Sequence, residues 1–453
     1  MKPRLLGFLL TLSALGASIG AAHAREPSNQ PLPSVPQRVY ANTTEVESMA
    51  LDGTSLWVAT RGGLEQYDTE SLQRTAHYTT LDGLPSLFVQ SVKVERGGAV
   101  MLQSHGQRCV LGASQGPRRI TCGPRSAASA SAHARASVDH EMIEGAAVTV
   151  RLEDKGGARF YGTAGRGVWR LRQTRWQRLT PRGQLCSNHI VAMTEYRKSS
   201  WFASFDQGLC RLEGEGFVEA ALAPPLLNDV LGTDRGLFVA SSQGLYRSED
   251  GLRFAREQRV VEHSVNDLAY DAKRQLLYAT ATNSLWRLAL GDRKPTVRVW
   301  YQPGGSRSLQ AVDVGPEGDV WLASEDRGVM HKVGARTFVV YDRLAGLPSS
   351  WSVDVLAMGG QRALAANLDH GVMLLGGAAA PRAVPTPDAW MLFLGRDAAS
   401  ADGIFVGTQE GAVLMCGRGQ SELFRGLPDP RVHAIARLAS GLWVATEGGL
   451  ARY

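Results

Sequence analysis

Few reactive side chains in this chain stand at the spacing that a catalytic site needs. "GASQG", at 112–116, matches the GxSxG pattern of serine hydrolases. That pattern presents a nucleophile only on a sharp turn from a strand into a helix, and no helical pattern follows it here. His370 stands beside Asp369, but the pair is isolated. The sequence therefore predicts no catalytic residue.

Motifs for cofactors and metals are also missing. The chain contains no P-loop, dinucleotide fingerprint, HExxH helix motif or EF-hand loop. His133 and His140 flank an Ala/Ser-rich stretch and are interpreted as solvated loop residues. We expect neither a cofactor nor a metal.

The N-terminal segment, "MKPRLLGFLLTLSALGASIGAAHA", has the features of a secretory signal peptide at 1–24. Lys2 and Arg4 precede a short apolar run, and Ala22-His23-Ala24 is a small-x-small cleavage pattern. A membrane anchor needs about 20 apolar residues, more than this run offers, and no later stretch is long and apolar enough. The mature chain is thus expected in the periplasm or outside the cell, with no transmembrane segment after cleavage.

The charge of the chain excludes one class of partner. Removing the signal takes away two basic residues and no acidic one, so the formal net charge falls from +6 to +4. Binding to a phosphate backbone requires a dense basic stripe, which the sequence does not contain. We expect no nucleic-acid partner.

The cysteines indicate disulfides, because exported proteins meet an oxidising compartment. None of the five cysteines has CxxC zinc spacing. Cys109 and Cys122 lie on consecutive predicted strands and form one candidate pair, and Cys186 with Cys210 forms a second. Cys416 is left over and is interpreted as a small buried residue.

A repeated pattern organises the rest of the chain. "LWVATRGGLEQY" at 56–67 returns as "LWVATEGGLARY" at 442–453, and related segments between them bring the number of copies to ten. The glycine, or in one case serine, before the second apolar run recurs mostly every 36 to 44 residues. This matches the period of about 40 residues of a four-stranded propeller blade.

Each repeat predicts four short strands. In the seventh, "SLQAVDV", "DVWLAS", "GVMHKV" and "TFVVYD" are apolar or alternating runs separated by turn residues. The second strand is apolar on both faces, which indicates that it lies between neighbouring blades. Trp57, Trp321 and Trp443 are therefore interpreted as packing residues. The predicted fold class is all-β, a β-propeller of about ten four-stranded blades at 38–453, in one large ring by preference or in two smaller rings.

These motifs resemble the two-component regulator propeller repeat. The resemblance rests on "LWVATRGGLEQYD", on "LWVATEGGLARY" and on the loops "DGLPSLFVQSV", "AGLPSSWSVDV" and "RGLPDPRVHAI". It implies a propeller fold and an exported sensing portion of the kind that binds oligosaccharides. No kinase or DNA-binding segment accompanies the repeats here.

Two stretches interrupt the repeat, and one short strand is expected to close it. Residues 25–37 are a Pro-rich lead-in, and 123–140 are an Ala/Ser-rich insertion expected to be a mobile loop. The terminal repeat supplies only three strands. "RVY" at 38–40 resembles the last strand of other repeats, so we expect it to pair with the C-terminal strand and close the propeller.

The best candidate for a binding surface is the face where turns between second and third strands meet the links that enter first strands. Polar residues of mixed charge beside an aromatic side chain suit a sugar or a peptide. The short turns contribute Arg61, Arg166, Asp206, Gln243, Asn283, Asp326, Arg327, Asp369, His370, Glu410 and Glu447. The links contribute Asp82, Asn188, His189, Asn228, Asp229 and Trp351.

Three functions compete on these observations. The first is a binding module that captures an oligosaccharide, peptide or envelope protein on this face, in a sensor-like or envelope-associated role. The second is an assembly scaffold of the cell envelope. The third is an enzyme, since "VWLAS" and "LWRLA" also resemble strands of streptogramin-type lyases. Without a catalytic motif, the sequence favours the binding module.

Overall fold

The structure of the protein is a computed structural model. The structure describes residues 35–112, 118–125, 141–222, 226–261, 263–291, 297–301, 309–334, 337–377, 380–386, 389–397, 399–400, 403–415 and 421–453. The signal peptide, most of the lead-in, "GASQG" beyond its first glycine, His133, His140 and Cys416 lie outside these ranges. So does most of the Ala/Ser-rich insertion.

Short antiparallel strands form ten sheets in the described chain, and each sheet follows one repeat. Strand β1 is Arg38–Tyr40. Sheet 1 contains β2 (Val46–Asp52), β3 (Ser55–Thr60), β4 (Gly63–Asp68) and β5 (Arg74–Tyr78). Sheet 2 contains β6 (Val89–Val94), β7 (Val100–Ser104), β8 (Gln107–Leu111) and β9 (Ile120–Cys122). Sheet 3 has five strands, β10 (Met142–Ile143), β11 (Ala146–Glu153), β12 (Arg159–Thr163), β13 (Val168–Arg172) and β14 (Arg175–Arg178).

The next four sheets have four strands each. Sheet 4 contains β15 (Ile190–Tyr196), β16 (Ser199–Ser204), β17 (Gly208–Glu213) and β18 (Gly216–Glu219). Sheet 5 contains β19 (Leu227–Thr233), β20 (Gly236–Ser241), β21 (Gly244–Ser248) and β22 (Ala255–Arg256). Sheet 6 contains β23 (Val265–Asp271), β24 (Leu276–Ala281), β25 (Leu285–Ala289) and β26 (Val297–Tyr301). Sheet 7 contains β27 (Leu309–Val314), β28 (Val320–Ser324), β29 (Gly328–Lys332) and β30 (Phe338–Tyr341).

The last three sheets complete the series. Sheet 8 contains β31 (Ser352–Gly359), β32 (Arg362–Asn367), β33 (Gly371–Gly376) and β34 (Arg382–Val384). Sheet 9 contains β35 (Met391–Arg396), β36 (Ile404–Thr408), β37 (Ala412–Met415) and β38 (Ser421–Leu423). Sheet 10 contains β39 (Val432–Leu438), β40 (Gly441–Thr446) and β41 (Gly449–Arg452), with β1 as its fourth strand. A single 3₁₀ turn, Thr80–Asp82, is the one helical element in the described residues.

The all-β prediction is confirmed, and the core lies between sheets. Trp57, Trp321 and Trp443, all on second strands, are almost completely buried, as their interpretation as packing residues requires. Nine of the ten apolar clusters in the described residues join residues of different sheets; one contains Trp57 with Val92 of β6. Successive four-stranded antiparallel sheets packed face to face are the building units of a β-propeller.

The predicted pairing of the strand at 38–40 with the C-terminal strand is confirmed. Strand β1 lies antiparallel to β41, with Val39 opposite Ala451 and Tyr40 opposite Leu450. Gly449 has a φ of +134°, and a Cβ built there would lie 2.5 Å from the Tyr40 carbonyl oxygen. Only glycine therefore allows the two backbones to approach at this end of the strand pair.

The contacts between sheets differ from a single ring of ten. We call the strand that begins each repeat its leading strand; in sheet 3 this is β11. Leading strands β15, β19, β23, β27, β31, β35 and β39 contact one another in that order, and β39 also contacts β15. Sheets 4 to 10 thus form a circuit of seven. The single large ring, which the sequence favoured over two smaller rings, would have placed sheet 1, not sheet 4, beside sheet 10.

Sheets 1 to 3 form a separate group inserted between β1 and sheet 4. Leading strand β2 contacts both β6 and β11. Hydrogen bonds connect this group with the circuit of seven. The Asn42 side chain donates to the carbonyls of Leu185 and Cys186, the Thr80 hydroxyl donates to the Gly426 carbonyl, and the Leu87 amide donates to the Pro428 carbonyl.

The two candidate cysteine pairs form disulfides in the structure. Cys109 lies opposite Cys122 in the register of β8 and β9, with 4.0 Å between their Cα atoms. Cys186 and Cys210 have Cα atoms 6.0 Å apart and connect the link into β15 with β17. The second bridge therefore fixes the start of a leading strand in the circuit.

Removing that second bridge should destabilise the protein. Cys186 and Cys210 are 24 residues apart, and closing a loop of this size in the unfolded chain contributes about 3 kcal/mol. We expect the Cys186→Ala/Cys210→Ala variant to lose about this much free energy of unfolding, measured by denaturant titration. Equal midpoints for the variant and the oxidised wild type would contradict the expectation.

One irregularity recurs in every described sheet. The register between the leading strand and the strand after it shifts at the start of all ten ladders, so that the pairing skips one leading-strand residue. Such β-bulges redirect a side chain and are common beside functional sites. The bulged residues are Glu47, Gln90, Thr149, Val191, Asn228, Asn266, Gln310, Val353, Leu392 and His433.

Candidate functional site

Most of the predicted face residues lie at one end of their sheets. Arg61, Arg166, Asp206, Gln243, Asn283, Asp326, Arg327, Asp369, His370, Glu410 and Glu447 occupy turns between a second and a third strand. Asp82, Asn188, His189 and Trp351 occupy links that lead into a leading strand.

The short turns share one hydrogen-bond pattern. In sheet 10, the Thr446 hydroxyl donates to the Gly449 carbonyl (2.9 Å) and accepts from the Gly448 amide (3.3 Å). Thr60 and Thr408 do the same in sheets 1 and 9. The Thr of "LWVAT" thus holds the turn, which leaves the residue after it to vary.

Predicted residues in the three-sheet group mostly have structural partners. Arg61 forms ion pairs with Glu45 (3.0 Å), which directly precedes β2, and with Glu47 (3.1 Å) on β2. The Asp82 carboxylate accepts the Thr79 amide (2.8 Å) and caps the 3₁₀ turn. These residues therefore stabilise local structure.

Two residues that the sequence assigned to a link lie in a strand instead. Asn228 and Asp229 belong to leading strand β19, where both are partly buried. The cavity of about 340 Å³ that they border is lined by the leading strands of all seven sheets of the circuit. The sequence "LLNDVLG" does not reveal the position of these two residues, because the bulge at Asn228 shifts the alternation of side chains between the two faces of the strand by one residue.

Four aspartates beside this cavity connect neighbouring sheets. Each carboxylate accepts the amide of a residue on the next leading strand: Asp229 from Leu268 (3.1 Å), Asp267 from Val312 (2.7 Å), Asp313 from Ala357 (2.8 Å) and Asp354 from Leu394 (2.7 Å). Burial raises the pKa of Asp229 and of Asp313 to about 6 and that of Asp354 to about 7. Burial and the charges of Asp229 and Asp354 also raise the pKa of Asp267.

Residues immediately before four neighbouring leading strands occupy equivalent positions. The carbonyls of Trp351, Trp390, Arg431 and His189 each accept the amide of the first residue after the second strand of the same sheet. Those sheets, 8, 9, 10 and 4, follow one another in the circuit. We call these four residues the rim arc.

The rim arc presents aromatic and ionisable side chains to solvent. Trp351 is 44% exposed and Trp390 is 46% exposed. Phe205, 47% exposed, lies with its ring centroid 5.2 Å from that of His189. Sequence reasoning found Trp351 and His189 but missed Trp390 and Phe205. Trp390 directly precedes a leading strand, as Trp351 does, and Phe205 directly follows a second strand. An alignment of the repeats would therefore have identified both positions.

Two predicted residues meet a third at one end of the arc. The ring centroids of His189 and His433 are 4.9 Å apart. Glu447 lies beside both, with its Oε2 atom 2.9 Å from Nε2 of His433 and 3.8 Å from Nε2 of His189. We call these three residues the His–His–Glu cluster. His433, the bulged residue of β39, was missed because "RVHAIARL" shows nothing unusual at this position.

The electrostatics of the cluster keep Glu447 ionised. The hydrogen bond from His433 is the main cause that lowers the pKa of Glu447, to about 2. Burial lowers the pKa of His189. Arg431, which also lies nearby, forms an ion pair with Asp429, with 3.3 Å between its Nε atom and Oδ1 of the carboxylate.

The adjacent pair that the sequence singled out lies elsewhere. Nδ1 of His370 is 2.6 Å from the Asp369 carboxylate, in an exposed turn of sheet 8. It does not join the His–His–Glu cluster, which belongs to sheets 4 and 10.

Comparisons with known proteins extend the description of the fold. No family model and no curated protein matches the chain. The extracellular domain of a hybrid two-component system from B. thetaiotaomicron is similar in structure, with a TM-score of 0.52 at 12% identity, over 88% of this chain and 60% of that one. PorZ, a surface component of the type-IX secretion system of Porphyromonas gingivalis, has a TM-score of 0.51 at 14% identity, over 92% and 69%.

A third solved structure is similar over a smaller part of this chain. A streptogramin B lyase has a TM-score of 0.47 at 10% identity, over 59% of this chain and 93% of the lyase. At sequence identities of 10–14%, the similarity indicates a related fold and nothing about function. In the described residues, no helix has both the length and the apolar character needed to cross a bilayer.

Proposed function

We propose that this protein is an exported binding module that captures an oligosaccharide on the rim arc. The observation that carries the proposal is the equivalent placement of Trp351, Trp390, Arg431 and His189 on four consecutive sheets. A chain of sugar rings presents apolar faces and hydroxyl groups in alternation. Exposed indole rings stack on the former, while charged and imidazole groups bond the latter.

The proposed architecture is a seven-bladed propeller with a three-sheet insertion. It is supported by the contact of β39 with β15 and by β1, which completes sheet 10. In such a ring, the ends of the leading strands surround the central cavity, so the rim arc lies at its mouth.

Export to the periplasm or beyond the cell is part of the proposal. The signal-like N-terminus and the two disulfides support it, because disulfides persist in oxidising compartments. The fold is also shared with the extracellular domain and the surface component described above. A sensor-like role or a place in the envelope would both use this binding surface.

A tryptophan substitution tests the proposed surface. We expect Trp351→Ala to weaken binding to a glycan found by array screening about tenfold, since an aromatic contact contributes about 0.5–1.5 kcal/mol and 1.4 kcal/mol is a factor of ten. Affinities are measured by calorimetry with the purified wild-type protein and variant. Trp390→Ala should have a similar effect.

Trp176→Ala is the matched control. Trp176 is 43% exposed, close to Trp351, but lies on β14 in the three-sheet group. Its loss should leave glycan affinity unchanged. Equal weakening by Trp176→Ala would place the ligand elsewhere. A stable envelope-protein partner with no glycan bound would replace the binding module with an assembly scaffold.

A further inference from the structure

The His–His–Glu cluster has the composition of a transition-metal site. Two imidazole nitrogens and one carboxylate are a ligand set that suits Zn²⁺. Calcium and magnesium instead prefer sites made entirely of oxygen atoms. We propose that His189, His433 and Glu447 bind one zinc ion at the contact between sheets 4 and 10. This proposal does not depend on the oligosaccharide.

The three side chains are already close to the geometry that zinc requires. Each offers one ligand atom, and these atoms all lie within 4.8 Å of one another. A tetrahedral zinc ion with bonds of about 2.0–2.1 Å places its ligand atoms about 3.3 Å apart. The pocket must therefore tighten by no more than about 1.5 Å, which rotation of the side chains supplies.

Backbone structure fixes the origin of each ligand. His189 precedes β15, and the Ser187 hydroxyl accepts its amide at 3.0 Å. His433 is the bulged residue of β39, and the bulge gives its side chain a different direction from those of its neighbours in the strand. The Glu447 amide donates to the Arg431 carbonyl at 3.0 Å. All three residues thus extend from sheet ends held by hydrogen bonds.

Binding replaces one hydrogen bond with two metal bonds. Nε2 of His433 now donates to Oε2 of Glu447. On binding zinc, exchange with water moves the ring proton from Nε2 to Nδ1, so neutral imidazole coordinates the ion through Nε2 and Glu447 coordinates it through Oε2. The positive charge of Arg431 opposes the ion, but its pairing with Asp429 reduces that opposition.

Partial exposure leaves room for a fourth ligand. The side chains of His189, His433 and Glu447 are 30%, 20% and 34% exposed. Sites with three protein ligands keep a position for water or an oxygen of a bound molecule. Zinc at this place would also join the first and last sheets of the circuit.

The test is zinc binding by the untagged, chelator-treated full chain. Calorimetric titration with ZnCl₂ should show one tight site, which His433→Gln weakens at least about a hundredfold, as losing a ligand exceeds the 10- to 100-fold effect of outer-shell changes. Glutamine can still donate to Glu447, which preserves the local hydrogen bond. Co²⁺ loaded into the same site should give the intense visible absorption of tetrahedral coordination.

His370→Ala is the control, because His370 is a partly exposed histidine beside a carboxylate outside the cluster. Zinc affinity should be unchanged in this variant and strongly reduced in His189→Ala. Zinc binding that survives both His433→Gln and His189→Ala, or no stoichiometric binding by the wild type, would overturn the proposal. Circular dichroism establishes that each variant is folded.

Discussion

Replacing Tyr40 with alanine should lower the free energy of unfolding by about 3–5 kcal/mol, the cost of removing a large buried aromatic side chain. Tyr40 is only 7% exposed. Its ring stacks on Trp443 at 5.3 Å and meets the edge of Phe217 at 5.4 Å. Because Trp443 belongs to sheet 10 and Phe217 to sheet 4, one side chain of β1 packs two sheets together. Denaturant titration measures the loss.

Tyr40→Phe is the control for this prediction. It keeps the ring and removes a hydroxyl whose contacts with Glu215 and Arg452 are long, at 3.4 and 3.5 Å. We expect stability close to that of the wild type. A Tyr40→Ala variant as stable as Tyr40→Phe would show that β1 contributes little to holding sheets 4 and 10 together. Deleting residues 38–42 should destabilise the fold further and promote self-association through the exposed edge of β41.

Lowering the pH from 8 to 5.5 should stabilise the wild type by about 2 kcal/mol relative to Asp354→Asn. Burial raises the pKa of Asp354 to about 7, above its value in the unfolded chain. The folded protein therefore binds the proton more tightly, and stability decreases as the pH rises through 7. One pKa unit corresponds to about 1.4 kcal/mol. The difference between the two proteins reports the titration of Asp354 together with its electrostatic effect on Asp267, because groups not coupled to Asp354 contribute equally to both.

The quantity to measure is the change with pH of the difference in stability between the two proteins. Asp354→Asn also costs stability at every pH, because the asparagine NH₂ group cannot accept one of the two backbone amides that donate to the carboxylate. Asp250→Asn is the control: hydrogen bonds from Arg253 and Leu252 lower the pKa of exposed Asp250 to about 2. Its difference from the wild type should be flat across this pH range. A flat difference for Asp354→Asn as well would mean that its carboxyl titrates near the ordinary value.

Much of the fold could be predicted because the copies of the repeat share the same pattern of strands and turns. The apolar second strand and the Gly-containing turn fix four-stranded sheets, and the missing fourth strand of the last repeat points to "RVY". The order of sheets around a ring is different. It depends on which leading strands pack together, and Val92, Leu268 and Ile435 have equivalent apolar side chains in sheets 2, 6 and 10. Local pattern therefore cannot separate a circuit of seven from one of ten.

The site was predictable only in part, for a related reason. Turn residues such as Glu447 are visible in the sequence because a fixed Thr and Gly enclose them. His433 and Asp229 lie in strands, where a polar residue looks like an outward-facing one. Their actual positions follow from a bulge, which changes no residue type, and from packing between sheets that are distant in sequence.

The recurrent bulge also has a consequence for how such a surface can change. At each bulge the register skips one leading-strand residue, while the residues on either side keep the ladder aligned. A substitution there leaves the strand pairing within the sheet intact, but some of these side chains connect sheets: Asn228 and Asn266 donate hydrogen bonds to the carbonyls of Val265 and Leu309 on the next leading strands. The ten bulged positions of the described sheets hold residues as different as Val191, Gln310 and His433 on the same local backbone. The side chain at such a position, as at His433, can therefore change its chemistry while the four strands of its sheet keep their pairing.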